Sequence, residues 1–281
     1  MKSVNSLSGG ETSSYMAVKY PTDYNIFALV RTNNKKLLFP DAKIRQIVSD
    51  KINDEFIGTL EDDMIIYTIM DLEQIIGRKI EWVTGKTFDE IIVKKAGFLP
   101  NERTRYCTIE MKIKPIAQWC YNNIELPIKM NIGFRSNEGL RAKAMIKREV
   151  EGFEPFKFNI GKTSNGRNKW KTLPYRKCEY PLMKDGIYKD NIQEYWKQNS
   201  RVRFANFNNC VGCFHQNPIL LHHRSTENAV KYEWFASQER QKNYKNTFIN
   251  GITYDTIRDK KLQFELFDYD FSDCDSGYCG L

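Results

Sequence analysis

Apolar residues follow two different spacings along the first third of the chain. Residues 24–30 form a mostly apolar run of strand length, and residues 80–83 form another. Such runs are typical of strands buried on both faces of a parallel sheet. Ile, Val and Leu recur at helical spacing over residues 41–54 and 62–77, and again over residues 88–96. Strands that alternate with helices predict an α/β fold with a parallel sheet joined by helical crossovers.

A glycine-rich turn opens this pattern. Residues 3–5 predict a short strand, a helix is predicted to start near Ser14, and residues 6–14 join them with the sequence Ser-Leu-Ser-Gly-Gly-Glu-Thr-Ser-Ser. Such a turn can hold phosphate, because glycine lets the backbone approach an anion and the N–H groups of the first helical turn point at it. The alternative is an ordinary turn in which glycine provides positive φ and Ser or Thr caps the helix.

A second basic turn follows a later predicted strand. Residues 127–134 predict the strand, and the next residues predict a turn that enters a helix. Glu138 and Arg141 are three residues apart and share a helix face. They form either a plain surface ion pair or, with Arg135, a group of guanidinium ions around phosphate.

The remaining chain is less regular. Residues 152–171 are polar and basic and contain Gly161 and Gly166, which predicts a loop or an insertion. A helix is predicted around residues 191–196. We divide the chain into an α/β domain of residues 1–195 and a cysteine-containing region of residues 196–281.

Charge and hydropathy limit the classes of function. The 281 residues carry a net charge of +8, and basic residues concentrate between Arg135 and Arg203. That balance suits an anionic ligand or nucleic acid, or else it marks a solvated basic face. The chain has no run of 18 apolar residues and begins with a polar stretch, so we predict a cytoplasmic protein without a membrane partner.

Cysteine usage indicates metal or redox chemistry. An odd number of cysteines without a secretory signal argues against a disulfide framework. Cys210 and Cys213 form a Cys-x-x-Cys knuckle, which can hold two thiolates at one metal ion with further ligands from elsewhere. Cys107 lies among Arg103, Arg105 and Lys112, and the alternative there is a basic surface helix with a half-buried thiol. The seven cysteines are Cys107, Cys120, Cys178, Cys210, Cys213, Cys274 and Cys279.

Three ordered motifs resemble one enzyme family. Residues 8–13 resemble the Ser-Gly-Gly-x-x-Ser pyrophosphate loop of the PP-loop adenine-nucleotide α-hydrolases, with Glu11 and Thr12 where the commonest form has Lys and Asp. Residues 133–142 resemble the Gly-x-Arg-x-x-Glu-Ser-x-x-Arg-Ala motif of phosphoadenosine-phosphosulfate (PAPS) reductase-like proteins. Residues 105–108, with Lys112 and Pro115, are similar to that family's Cys-Cys-x-x-x-Lys-x-x-Pro segment and close to the Arg-Trp-Cys-Thr form of its DNA phosphorothioation branch.

The resemblance implies a fold and a nucleotide site. The fold is a Rossmann-like parallel sheet with flanking helices, of the PP-loop (HUP) type, followed by a small cysteine-containing region. The ligand is ATP, PAPS or adenosine phosphosulfate (APS), and Mg²⁺ is a further candidate. Lys112, Arg135 and Arg141 are the implied catalytic cations. The implied nucleotide-binding residues are Ser6, Ser8, Gly9, Gly10, Thr12, Ser13, Ser14, Gly133, Arg135 and Glu138.

The same resemblance implies a metal centre. In the family, a late Cys-x-x-Cys joins an earlier cysteine at an iron–sulfur cluster, which assigns Cys107, Cys210 and Cys213 here. Thr108 stands at the fourth family position, so either Cys178 substitutes for it or one cluster iron is left open. The rival assignment is a zinc site formed by Cys178, Cys210, Cys213 and His215.

Three functions remain open from the sequence. The leading one is cleavage of ATP between the α and β phosphates, which activates an acceptor for sulfur insertion; a nucleic acid acceptor or a sulfur-donor protein would be the partner. The second is reduction of PAPS or APS to sulfite, with Cys279 as the nucleophile because residues 279–281 resemble the reductase tail. The third is a non-catalytic nucleotide-binding module with structural zinc. The oligomeric state is left open.

Overall fold

The computed structural model describes residues 1–207, 209–241 and 246–260. They form two compact units that interleave along the chain. The first unit comprises Met1–Ala28, Ile66–Val83 and Ile113–Phe204, and the second comprises Leu29–Ile65, Thr84–Lys112 and the described residues from Ala205 onward. The tail cysteines Cys274 and Cys279 lie outside the described residues.

Helices and strands alternate over most of the described chain. The strands are β1 (Ser3–Leu7), β2 (Tyr24–Leu29), β3 (Arg31–Thr32), β4 (Gly58–Thr59), β5 (Ile80–Thr84), β6 (Ile128–Asn131), β7 (Glu154–Lys162) and β8 (Asn168–Glu179). The helices are α1 (Glu11–Lys19), α2 (Ala42–Ile52), α3 (Met64–Ile76), α4 (Phe88–Lys94), α5 (Tyr106–Thr108), α6 (Lys114–Asn123), α7 (Gly139–Ile146), α8 (Pro181–Lys184), α9 (Lys189–Gln198), α10 (Pro218–Glu227), α11 (Ala229–Glu239) and α12 (Tyr254–Asp259). A 3₁₀ turn covers Lys35–Leu37, and Ile109–Ile113 is π-helical. The predicted domain boundary at residue 195 falls inside α9.

A six-stranded sheet, with strand order β5-β2-β1-β6-β8-β7, organises the first unit. Strand β1 pairs in parallel with β2 and with β6, and β6 pairs in parallel with β8. Strand β7 is antiparallel to β8 at one edge. The predicted α/β class is therefore confirmed as a mostly parallel sheet with flanking helices, consistent with a Rossmann-like fold. None of the helices in the described part of the chain is long and apolar enough to cross a membrane.

The buried strands follow the apolar pattern of the sequence. Ile26, Phe27, Ala28 and Leu29 of β2 are all nearly inaccessible to solvent. A strand in the middle of a covered sheet contacts packed side chains on both faces, so it needs apolar residues at every position. The predicted strand at residues 24–30 is accordingly found as β2.

Three asparagines cross the middle of the sheet in a row. Asn5 on β1 is in register with Asn25 on β2 and with Asn131 on β6. Its Nδ2 donates to Asn25 Oδ1 at 3.3 Å and to the Tyr20 carbonyl at 3.0 Å, and its Oδ1 accepts from Asn131 Nδ2 at 3.0 Å. Asn5 and Asn25 are essentially fully buried, so these bonds replace those to water that burial removes. We call this row the amide ladder.

Of the two alternatives predicted for residues 152–171, a loop or an insertion, the loop is wrong. Strands β7 and β8 form an antiparallel hairpin there; Gly166 lies at its turn, and Gly161 lies within β7 where the register shifts between Asn159 and Lys162. The physical reason is aromatic packing at the base: Phe158 is buried, stacks on Tyr121 of α6 with ring centroids 5.2 Å apart, and contacts Tyr175. Lysines between the aromatic residues hide this strand pattern in the sequence.

A separate core holds the second unit together. Apolar side chains from α4, α10, α11 and α12 meet in it, and β3 and β4 form a short antiparallel pair. Helix α4 begins with a capping box in which Thr87 and Glu90 satisfy each other's backbone N–H groups at 3.3 and 2.8 Å. The helical pattern predicted at residues 88–96 is found as this helix.

Three consecutive carboxylates, residues 61–63, each form an ion pair with a different cation of the second unit. The shortest distances are 2.7, 3.2 and 2.7 Å, and the cationic side chains are only 14%, 0% and 11% exposed. The pairs are Glu61–Lys112, Asp62–Arg224 and Asp63–Lys231. We call residues 61–63 the acidic triplet. It joins the segment before α3 to the π-helical segment, α10 and α11.

We predict that Asp62→Ala destabilises the protein by about 3 kcal/mol, because Arg224 would keep its buried charge without a carboxylate partner. Arg224 also donates to the Phe207 carbonyl at 2.7 Å, which offsets only part of that cost. Urea unfolding followed by tryptophan fluorescence measures the effect. The matched control is Asp259→Ala, which removes an exposed ion pair to Arg258 and should change stability by less than about 0.5 kcal/mol. Equal losses in the two variants would contradict the role of Asp62.

Candidate functional site

The turn between β1 and α1 has the backbone of an anion cradle. Gly9 adopts φ of 78°, which side chains disfavour, and Gly10 occupies the N-cap of α1 in an extended conformation with φ of −93°. Because Gly10 has no side chain, it cannot cap the first N–H groups of the helix itself. The indole Nε1 of Trp196 on α9 donates to the Glu11 carbonyl at 3.0 Å and fixes the first turn of α1.

Ser13 ties this turn together. Its hydroxyl donates to the Gly10 carbonyl at 3.0 Å and accepts from the Ser8 backbone N–H at 3.2 Å. The Ser8 hydroxyl lies 3.1 Å from the same oxygen and donates to it, since the Ser13 proton is already used. Ser13 is predicted to bind nucleotide, and its hydrogen bonds also give it a structural role in stabilising the conformation of the loop.

The other residues predicted in the loop differ in access. Ser14 is fully buried, and its Oγ has no hydrogen-bond partner within the described ranges. Ser6 lies inside β1 opposite Ile26. Thr12 is half-buried, and its Cγ2 would lie 3.6 Å from a Cβ placed on Gly133, so the backbone after β6 contacts the first turn of α1.

The residues after β6 form a compact charged turn. Glu138 Oε2 accepts from the Arg135 backbone N–H at 2.7 Å and from its Nε at 3.2 Å, and Glu138 Oε1 accepts from Arg141 Nη1. The Arg141 guanidinium also lies over the Phe134 ring, 4.2 Å from its centroid. One carboxylate thus positions two guanidinium groups, and the turn keeps a net positive charge. The parallel pairing of β1 and β6 brings this turn and the glycine loop to the same sheet edge.

The second unit contains a pocket that brings together three predicted metal ligands. Cys107, Cys210 and Cys213 line it together with His215. Two cations also line the pocket, Arg105 and Lys112, and the remaining wall is largely apolar. Residues 107 and 210, which are far apart in sequence, therefore contribute to one cavity, as the resemblance implies.

The Cys210–Cys213 turn is held by the backbone and by close packing. The Cys213 N–H donates to the Cys210 carbonyl at 3.1 Å, and the Val211 N–H donates to the Leu60 carbonyl at 2.9 Å. A Cβ on Gly212 would lie 2.3 Å from the Phe235 ring. Glycine is therefore required here by the close approach of an aromatic ring, and not by its φ.

Burial perturbs two groups of the pocket. It raises the pKa of the Cys107 thiol, against hydrogen bonds from Thr108 and the charges of Arg105 and Lys112. It lowers the pKa of His215 to about 4, with a smaller contribution from the Arg105 charge. The His215 ring is therefore neutral at pH 7, and its buried Nε2 has no hydrogen-bond partner among the described residues. A neutral imidazole can ligate a metal ion without losing a proton, whereas the Cys107 thiol would release its proton on binding.

Lys112, a predicted catalytic cation, is held by Glu61. Its Nζ lies 2.7 Å from Glu61 Oε1, and Glu61 is only 1% exposed. Glu61 also forms an isolated antiparallel bridge with Cys210. Glu61 is the residue at this pocket that the sequence analysis missed. The signal is the acidic triplet itself, but its partners are too distant in sequence to be assigned by pattern.

Cys178 is in the first unit, where it is buried on β8. Its Sγ lies 4.0 Å from Glu154 Oε2, and burial raises its pKa to about 11. Cys120 on α6 is fully buried, and burial raises its pKa to about 12. The pocket of the second unit is not lined by Cys178. The assignments of Cys178 as a ligand and of Cys279 as a nucleophile stay predictions.

The pocket is lined by side chains that can bind a metal ion, but in the structure these side chains do not come together around one point. Three thiols and an imidazole suit zinc or an iron–sulfur cluster. Over residues 1–207, 209–241 and 246–260, however, no three His, Cys, Asp or Glu side chains come close enough to hold one metal ion. Side-chain rotation would have to accompany binding. Comparison of the chain with protein-family models, curated proteins and solved structures found no match.

We predict that Gly212→Ala destabilises the second unit by about 1–3 kcal/mol, because the added methyl group overlaps the Phe235 ring. Thermal or urea unfolding measures the change. Gly139→Ala is the matched control, since its Cβ would meet only the Met183 side chain at 3.9 Å. Phe235→Leu in the Gly212→Ala background should recover part of the loss. The explanation fails if the double-mutant cycle shows no coupling between these positions.

Proposed function

We propose that the chain binds an adenine nucleotide at the glycine loop and cleaves ATP between the α and β phosphates to activate an acceptor for sulfur insertion. The observation that carries the proposal is the meeting of two motifs at one sheet edge. The uncapped turn at Gly9 and Gly10 lies beside the Arg135–Glu138–Arg141 turn, on neighbouring parallel strands. The choice of adenine, and of a PP-loop type of fold, follows from the resemblance of these motifs.

The charges of the site match the proposed cleavage. An acceptor atom would form a bond to the α-phosphorus as the bond to the bridging oxygen breaks, and the electron pair would leave with pyrophosphate. Backbone N–H groups of the α1 turn and the guanidinium groups of Arg135 and Arg141 would stabilise that developing charge. Glu138 already fixes the Arg135 and Arg141 side chains in the absence of a ligand. Nucleotide binding would therefore cost little side-chain conformational entropy. A donor sulfur would then displace AMP from the activated acceptor.

A metal centre in the cysteine pocket is the second part of the proposal. Cys107, Cys210 and Cys213 would hold an iron–sulfur cluster, with zinc as the rival. A cluster would supply a centre for electron transfer or for binding sulfide. The fourth ligand would be His215, whose buried Nε2 has no hydrogen-bond partner within the described chain, or one cluster iron would be left open.

We predict that Gly10→Val abolishes nucleotide binding while the fold is retained. Valine accepts the extended φ of −93° at Gly10, so the backbone is not strained, but its side chain would block anion approach to the helix N-terminus. Calorimetric titration with ATP and with PAPS measures affinity, and circular dichroism checks the fold. Gly10→Ala should give an intermediate loss. Unchanged affinity in a folded Gly10→Val protein would move the site elsewhere.

Product analysis on the parent protein separates the candidate activities. Pyrophosphate release from ATP in the presence of a sulfur donor is expected. Sulfite release from PAPS would instead assign the reductase function, and nucleotide binding without either product would assign a binding module.

We predict that anaerobically purified protein contains iron, at about four atoms per chain for a cubane cluster. Serine at Cys107, Cys210 or Cys213 should lower the metal content measured by elemental analysis. Cys120→Ala is the control and should leave it unchanged. His215→Ala should lower the metal content if His215 is the fourth ligand, and Cys178→Ala tests the assignment made from the sequence. Zinc in place of iron would assign the rival centre, and full metal content in the Cys107 variant would remove the proposed ligand set.

A further inference from the structure

The hairpin formed by β7 and β8, residues 154–179, projects beyond the sheet of the first unit. Strand β8 pairs with β6 only over its last four residues, between Ile128↔Arg176 and Asn131↔Glu179. From residue 174 outward it is in register with β7 alone. All residues from 161 to 172 are exposed to solvent. We call residues 157–172 the basic arm; its residues 161–172 are exposed, while Phe158 and Asn159 pack on α6.

The basic arm carries one sign of charge. Residues 155–178 contain no Asp or Glu. The arm's cations form no ion pair with a carboxylate in the described parts of the chain, whereas Arg176 at the base is paired with Glu154 at 2.7 Å. The basic arm has five exposed cations: Lys157, Lys162, Arg167, Lys169 and Lys171. Mutual repulsion between cations on one ribbon costs free energy that a polyanion would recover.

An exposed indole lies among these cations. Trp170 is 47% exposed and is paired across the ribbon with Asn159. Side chains alternate between the faces of a strand, and directly paired residues share a face. The pairs Lys157↔Thr172 and Lys162↔Asn168 therefore place Lys157 and Lys162 on the Trp170 face. Lys169 and Lys171 lie on the opposite face, and Arg167 lies at the turn.

We propose that the basic arm binds single-stranded nucleic acid, with its cations at the phosphates and Trp170 stacked on an unpaired base. In single-stranded nucleic acid, phosphates alternate with unpaired bases. Lysines on both sides of an aromatic side chain can therefore contact the phosphates while the ring stacks on a base. A membrane surface fits less well, because Trp170 is the only aromatic residue between 161 and 172 and most of the others are polar. This inference does not rest on the proposed nucleotide chemistry.

The test measures binding of the full chain to a fluorescent 20-nucleotide single strand and to its duplex by anisotropy, over a range of salt concentrations. The arm variant replaces Lys162, Arg167, Lys169 and Lys171 with Gln. It is expected to bind roughly 100-fold more weakly at 100 mM salt, and its salt slope should fall by up to about 3. Trp170→Ala should weaken single-strand binding by about tenfold with the slope unchanged.

A charge-matched control separates a docking arm from net charge. Replacing the exposed residues Lys35, Lys36, Lys43 and Lys86 of the second unit with Gln removes the same charge and should change affinity by less than about threefold. The proposal is overturned if this control loses as much affinity as the arm variant, if Trp170→Ala binds as the parent does, or if the duplex binds more tightly than the single strand. Binding to phosphatidylserine vesicles, with no binding to either oligonucleotide, would overturn it in favour of a membrane surface.

Discussion

Three cations within the second unit depend on three consecutive carboxylates for their neutralisation. Removing a charge from water costs several kcal/mol, and only a close partner of opposite sign returns that cost. The acidic triplet meets this condition for Lys112, Arg224 and Lys231 at once. Because the three cations belong to the π-helical segment, α10 and α11, one short stretch of chain sets the positions of three others. The cysteine pocket is built on that arrangement.

Glu61 links the charge pairing to the pocket directly. Its side chain holds Lys112, its backbone bridges Cys210, and its carbonyl accepts from Lys231 Nζ at 2.6 Å. A change in the position of Glu61 would therefore affect both Lys112 and the backbone of Cys210 in the pocket wall. A π-helical segment that carries Lys112 fits this setting, since such segments are rare and frequent at functional sites.

Sequence pattern predicted those parts of the fold that depend on local repetition. Strand β2 was recognisable because burial on both faces demands a continuous apolar run. The hairpin of β7 and β8 was missed because lysines interrupt its aromatic residues, and only packing on Tyr121 and Tyr175 makes them a strand.

The same limit applies to the candidate sites. The Cys-x-x-Cys knuckle and the glycine loop are local signals, and in the structure Cys107 lines the same pocket as the knuckle and Gly133 lies beside Thr12 of the loop helix. Glu61 is marked in the sequence only by the acidic triplet, and its role depends on partners 51 and 170 residues away. Spacing along the sequence does not predict contacts between residues so far apart. These contacts form because a buried charge needs a partner of opposite sign.

The amide ladder has a consequence for how the sheet avoids wrong assemblies. Asparagine adds little apolar contact, so Asn5, Asn25 and Asn131 contribute less to cohesion than valines would at the same positions. The asparagines instead favour one register of the strands. A shift of either neighbouring strand by one residue would move its amide to the opposite face of the sheet, and the remaining buried amides would lose hydrogen-bond partners. Competing registers are thereby raised in free energy, while the native register is nearly unaffected. The sheet gives up some cohesion at its centre in exchange for a single alignment of the strands that carry the glycine loop and the arginine turn.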